Sequence, residues 1–271
     1  MNQTNINELT IAIINESNVI ISKISGHKEV SLVYEESYQE GDKIHFTNIS
    51  DNKYLVIKID DKLKGALIYL IGSTLEFLIP FDEQAKPYSE NTFKGKNHNI
   101  SMRIANKDEV YAYRDLAENV MDKRGETTYY PHAIANVETR NESVFAARNV
   151  IDGRVDTQSH GSWPYQSWGT DQREDAQIKI DFGRKVQVDK IALYLRADYP
   201  HDTFWNFIRV EFSDGSNKIV EPVRSYDAQY FEFDKKVITW MKLLNFKKAE
   251  EEIDFAALTE IQVFGNDIQS K

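Results

Sequence analysis

The stretch that decides the fold is "AQIKIDFGRKVQVDKIALY", Ala176 to Tyr194. In "IKIDF" polar and apolar residues alternate, the pattern of a strand with one face in a core and one in water. "RVEFS" repeats it downstream and ends in "SDGS", Ser213 to Ser216, a hairpin turn signal. The other short runs after Tyr129, namely "KIVEPV", "YFEFD", "VITWMKLLNF" and "LTEIQVFG", also read as strands.

The same rhythm precedes it. From Thr10 to Ala105 the runs "IAIINES", "NVIISKI", "VSLVYEE", "KIHFTNI", "KYLVIKID", "ALIYLIG", "TLEFLIPF" and "HNISMRIA" are separated by turn residues such as "EGDK" and "SDNK". Between the two series lies one segment of helical period, "NKDEVYAYRDLAENVMDKRG". Asn106 or Asp108 can cap it, and Val110, Tyr113, Leu116 or Ala117, and Val120 fall on one face. The expectation is an all-β chain: two β-sandwich (jelly-roll) domains joined by one α-helix. Residues 1–106 form the first sandwich, 107–125 the helix and 126–271 the second sandwich.

Bulk composition narrows function. The chain has 271 residues, 41% of them hydrophobic, and a net charge of −10, which opposes a general nucleic-acid binder. It contains no cysteine, so disulfides, thiolate nucleophiles and Cys-based zinc sites are excluded. "GALIYLIGSTLEFLIPF", Gly65 to Phe81, is broken by polar residues and is too short for membrane insertion. The start "MNQTNINELT" has neither a basic nor an apolar leader region, from which a cytoplasmic location is expected.

The order of segments from about Tyr130 to Gly265 resembles the discoidin, or coagulation-factor type C, domain and the related family 32 carbohydrate-binding modules. The matching pieces are "AARNVIDG" (Ala146 to Gly153), "QSWG" (Gln166 to Gly169), the opening stretch, "IRVEFSDGS", "VITWMKL" and "LTEIQVFG". "HGSWPYQSWG" with "LYLRADYPHD" is similar to a bacterial branch labelled carbohydrate-binding. The resemblance implies an eight-stranded jelly roll, galactose-binding-like, with binding on loops at one end. It also implies a structural calcium under the Asp-Gly loop, for which Asp152 and Glu260 match by motif. Arg154 stands where the family often has Asn or Asp. Asp156 could compensate, or the arginine could replace the ion's charge.

Within this frame Trp168 is expected to close the core, and Trp240, mid-strand, is assigned there too. Trp163, between Gly161 and Pro164, could stack on a sugar face or pack its loop, since an indole serves both. His160 and the cluster Arg196, Asp198, His201 and Asp202 supply the planar polar groups that sugar hydroxyls need. Arg196 and Asp198 could equally form an ion pair. "YPH" occurs at Tyr130 to His132 and again at Tyr199 to His201, but no HExxH or close His pair supports zinc. The leading functional class is a non-catalytic carbohydrate-binding protein with a glycan or small sugar as partner. The alternative is a glycoside hydrolase or lyase with its carboxylates shared between the sandwiches.

Overall fold

The computed structural model describes residues 8–50, 53–157, 161–196, 203–249 and 255–269. The first half runs through β1 (Glu8–Ile14), β2 (Ile20–His27), β3 (Glu29–Tyr34), β4 (Lys43–Ile49), β5 (Tyr54–Lys58), β6 (Ala66–Leu70), β7 (Thr74–Leu78), the short α1 (Asp82–Ala85) and β8 (His98–Ile104). Alternation sets the packing: in β4, Ile44, Phe46 and Asn48 point inward while their neighbours face out. One sheet has the order β2-β1-β4-β7, and a second contains β6-β5-β8-β3. Ile11, Ile13 and Phe46 of the first meet Leu55, Ile68 and Ile100 of the second in one core.

The connecting segment departs from the expected helix. Only α2 (Lys107–Tyr111) is helical, closed by a capping box between Asn106 and Glu109. Then β9 (Arg114–Asp115) pairs with the last strand of the chain, and Leu116 donates its N–H to Val263 O at 2.7 Å. A longer helix would keep Leu116, Ala117, Val120 and Met121 on neighbouring faces of one rod. Instead Leu116 and Ala117 enter the second core while Val120 and Met121 enter the first. Strand pairing and burial in two cores outweigh the weak intrinsic helix preference of this segment. The chain then returns: β10 (Tyr129–Tyr130) adds to β6, and β11 (His132–Ala135) belongs to the second half.

That half continues through β12 (Trp168–Gly169), β13 (Gln177–Arg196), β14 (Trp205–Phe212), β15 (Asn217–Val220), β16 (Gln229–Lys248) and β17 (Ala257–Asp267). Its strands form one hydrogen-bonded network, β12-β17-β13-β16-β14-β15, with β11 on β13 and β9 on β17. Stretches expected as four strands are two long bent ones, β13 and β16. The first part of β13 pairs with β11 and the second with β17, and the register shifts between Asp181 and Val186. Gly183 makes this corner: its φ is +64°, and a Cβ there would lie 2.4 Å from the Tyr130 ring.

Trp168 closes the core as expected. It is fully buried, donates Nε1–H to Val137 O at 2.8 Å, and packs its ring 5.5 Å from Phe246. Trp240 does not. Alternation turns Met241 inward, leaving Trp240 half-buried on the outer face with Lys179 and Lys242 over its ring.

The halves are joined at one buried carboxylate. Asp267 accepts from Tyr54 Oη at 3.0 Å, Arg114 Nη2 at 2.7 Å and Arg184 Nη2 at 2.9 Å. The Arg184 guanidinium also lies 5.4 Å from the ring centres of Tyr54 and Tyr69. Truncating the aromatic keystone, Trp168→Ala, is expected to cost about 3–5 kcal/mol in chemical denaturation. A loss below about 1 kcal/mol would show that Trp168 is not a core residue.

Candidate functional site

Two sets of residues from the sequence meet at one end of the second half. After a turn of 3-10 helix (Ala147–Ile151) the chain makes the Asp152-Gly153 loop. Gly153 has φ +76°, and a Cβ there would lie 2.8 Å from the Glu118 carboxylate. The site therefore needs glycine both for the turn and for the close approach. Gly153 donates its N–H to Glu260 Oε1 at 3.1 Å, bringing the loop onto β17.

Glu260 is fully buried and its Oε2 has no hydrogen-bond partner. Burial, then the nearby carboxylates of Asp152 and Asp115, pushes its pKa well above the ordinary value. Asp152 accepts from Arg154 N at 2.9 Å, and burial raises its pKa to about 6, against the pull of Arg148. Asp115 joins from the connecting segment. Its Oδ1 accepts the N–H groups of Val263 and Ala117, its Oδ2 is enclosed without a partner, and burial raises its pKa to about 7. Sequence reading missed Asp115 and Glu118 because both sat on the polar face of the expected helix. The pairing of Asp115 with β17 has no local signal.

Asp156 lies apart, half exposed, 3.3 Å from Arg154 Nη1. The Arg154 guanidinium does not fill the acidic pocket. It sits 4.5 Å above the Trp163 ring instead. Among the described residues no group of three His, Asp or Glu side chains has the spacing of a metal cluster. The orphaned Glu260 oxygen and the Asp152 carboxylate are oxygen donors of the kind a hard cation such as calcium takes.

Trp163 stands at the mouth of a cleft of about 150 Å³ lined by Lys62, Ser89, Asp152, Arg154 and Gln166. It is half-buried, and its Nε1–H donates to Pro87 O at 3.1 Å, so the first half of the chain orients the indole. Arg196 is brought to the same segment but not to its surface. β13 carries it to Ala257 on β17, where it is fully buried and donates Nη1–H to Tyr165 O at 2.6 Å. Continued strand pairing turns it inward, so it anchors the loop rather than facing a ligand. His160, Asp198, His201 and Asp202 lie outside the described residues.

Residues 131–264 match the model of a family described as a domain of unknown function, DUF7402. No curated protein matches. Among solved structures the chain is similar to carbohydrate-binding modules and lectin domains. One is chitosan-binding module 1 of a chitosanase/glucanase from Paenibacillus sp. IK-5, at 14% identity, covering 56% of this chain and 98% of that one, TM-score 0.40. Another is the lectin domain of Lectinolysin complexed with Lewis B antigen, at 16% identity, covering 56% and 97%, TM-score 0.41. A third is the family 32 module of NanJ from C. perfringens in complex with galactose, at 19% identity, covering 49% and 91%, TM-score 0.35.

The acidic pocket sets a pH dependence. Asp115, Asp152 and Glu260 all have folded pKa values above their ordinary ones. The folded state thus holds protons that the unfolded chain has released. Their contribution is fully present below the ordinary carboxyl range and is lost as pH rises through about 6 and about 7. Carboxyls held low, such as Glu109 at about 2, have finished titrating by then. In the presence of a chelator, the thermal midpoint is expected to fall between about pH 5 and about pH 8, with a shallower fall in Glu260→Gln. Equal slopes in the two proteins would contradict this assignment.

Proposed function

We propose that this chain is a non-catalytic carbohydrate-binding protein whose site is the Trp163 cleft at the loop end of the second half. The observation that supports it most is the Trp163 indole, half-buried and fixed through its N–H, at the mouth of a small cleft with Arg154, Asp152 and Gln166. A fixed indole offers an apolar platform to the C–H face of a sugar ring. The Arg154 guanidinium already lies on one indole face and can turn its N–H donors to hydroxyls. The opening is small, so modest affinity for a terminal sugar is expected. His160, Asp198, His201 and Asp202 remain part of this reading as candidate polar groups.

A glycan array probed with the intact chain tests it. Binding to at least one neutral glycan class is expected, with Trp163→Ala weakening it about tenfold or more. An array without hits, or unchanged binding by Trp163→Ala, would overturn the proposal.

Calcium is the second part of this reading. Held by Asp152 and Glu260, it would offset the mutual repulsion of the buried carboxylates and pin the Asp-Gly loop that carries Arg154. Calcium is expected to raise the thermal midpoint of the wild-type chain and to leave that of Glu260→Gln unmoved. An unmoved wild-type midpoint would remove calcium from the account.

A further inference from the structure

The larger cavity lies elsewhere. A cleft of about 840 Å³ runs along the seam between the halves, with Ile79 and Phe81 on one wall and Ala135 and Val137 on the other. His132, the end of the first of the two "YPH" segments, lines it, and the Trp163 site has no use for this residue.

His132 opens β11 there. Its Nδ1 lies 2.6 Å from Asp122 Oδ1, and Asp122 Oδ2 accepts the N–H of Ala133 at 2.9 Å. The imidazole is 4% exposed and the aspartate side chain 0%. With both carboxylate oxygens accepting, Nδ1 carries the hydrogen; in an imidazole bearing that single hydrogen, Nε2 presents a lone pair. Nε2 has no hydrogen-bond partner, yet it is not among the buried nitrogens sealed from solvent, so it opens to the cleft that His132 lines. Solvent reaches it there, and a ligand that displaced that solvent would have to supply the donor in its place.

The rest of the lining narrows the donor's carrier. Glu40, Asp122, Glu126, Glu138 and Glu142 outnumber Lys123, Arg124 and Arg148 in the lining, which disfavours an anion. The walls are apolar on both sides. We propose that the seam cleft is a second binding site, for a neutral hydroxyl-bearing molecule with an apolar flank, in which Nε2 of His132 accepts the hydroxyl hydrogen. Asp122 is the positioning residue that fixes the ring and its tautomer. This site does not rest on the Trp163 reading.

The chain has six histidines, so nitrogen resonances of histidine-labelled protein can be followed individually by NMR. The probe is p-nitrophenyl β-galactopyranoside, which joins a hydroxylated ring to an apolar one. Its anionic counterpart is p-nitrophenyl phosphate. The galactoside is expected to shift the His132 Nε2 resonance saturably, and the phosphate is not. Ala135→Phe fills the cleft and leaves the Asp122–His132 pair intact, so the shift should vanish in Ala135→Phe while its amide spectrum stays folded. Trp163→Ala should keep the shift, which separates failure of this site from failure of the other. No saturable shift in the wild-type chain, an equal response to the phosphate, or a shift that survives in folded Ala135→Phe would overturn the proposal.

Discussion

Asp267 ties the two halves of the chain together. It is the last residue of β17, its side chain is fully buried, and it faces two guanidinium groups and a phenol contributed by β5, β9 and β13. A buried carboxylate is tolerated only when its charge is matched and its oxygens are bonded, and here both conditions hold. Tyr54 comes from the first half, Arg184 and Asp267 from the second, and Arg114 from the segment between them. Losing any one leaves a buried charge or hydroxyl short of a partner. The arrangement thus resists sliding of one sandwich on the other.

The connecting segment adds a second constraint. Between Arg114 and His132 the chain visits the strands of the second half, then the core of the first half, then its β6-containing sheet, and finally the strands of the second half again. Each visit uses backbone hydrogen bonds or apolar burial that a flexible tether would not have. A buried guanidinium reinforces the crossing: Arg148 donates to the carbonyls of Asp122 and Val120 and lies 5.0 Å from the Tyr88 ring centre. Tyr88 and Arg148 line both the Trp163 cleft and the seam cleft, so one rigid partition separates them.

This seam gives the second half features that its own residues would not supply. Trp163 takes its orientation from the Pro87 carbonyl, and the Asp-Gly loop packs against Glu118, whose carboxylate lies 3.6 Å from Lys64 Nζ. The second half, cut from this chain, would lack those contacts.

The amino-acid sequence by itself determined the strands and the inward-facing set. Alternation in "IKIDF" and "RVEFS" needs only the two-residue period of a pleated strand, and the position of Trp168 after the Asp-Gly loop carried its burial. The resemblance in motif order placed the Asp-Gly loop near Glu260, and the loop's Gly153 N–H does reach it. Tertiary structure decided where the period misleads. The helical stripe from Val110 to Val120 was split between two cores because each half had an open edge or apolar gap to fill. Trp240 faces out because Met241 took the inward place at that register. Asp115 reached the acidic pocket, Arg196 turned inward and His132 came to the seam cleft through pairings between distant strands. Such pairings depend on which edges and cavities remain open once the sheets have formed, and no local pattern of residues encodes that.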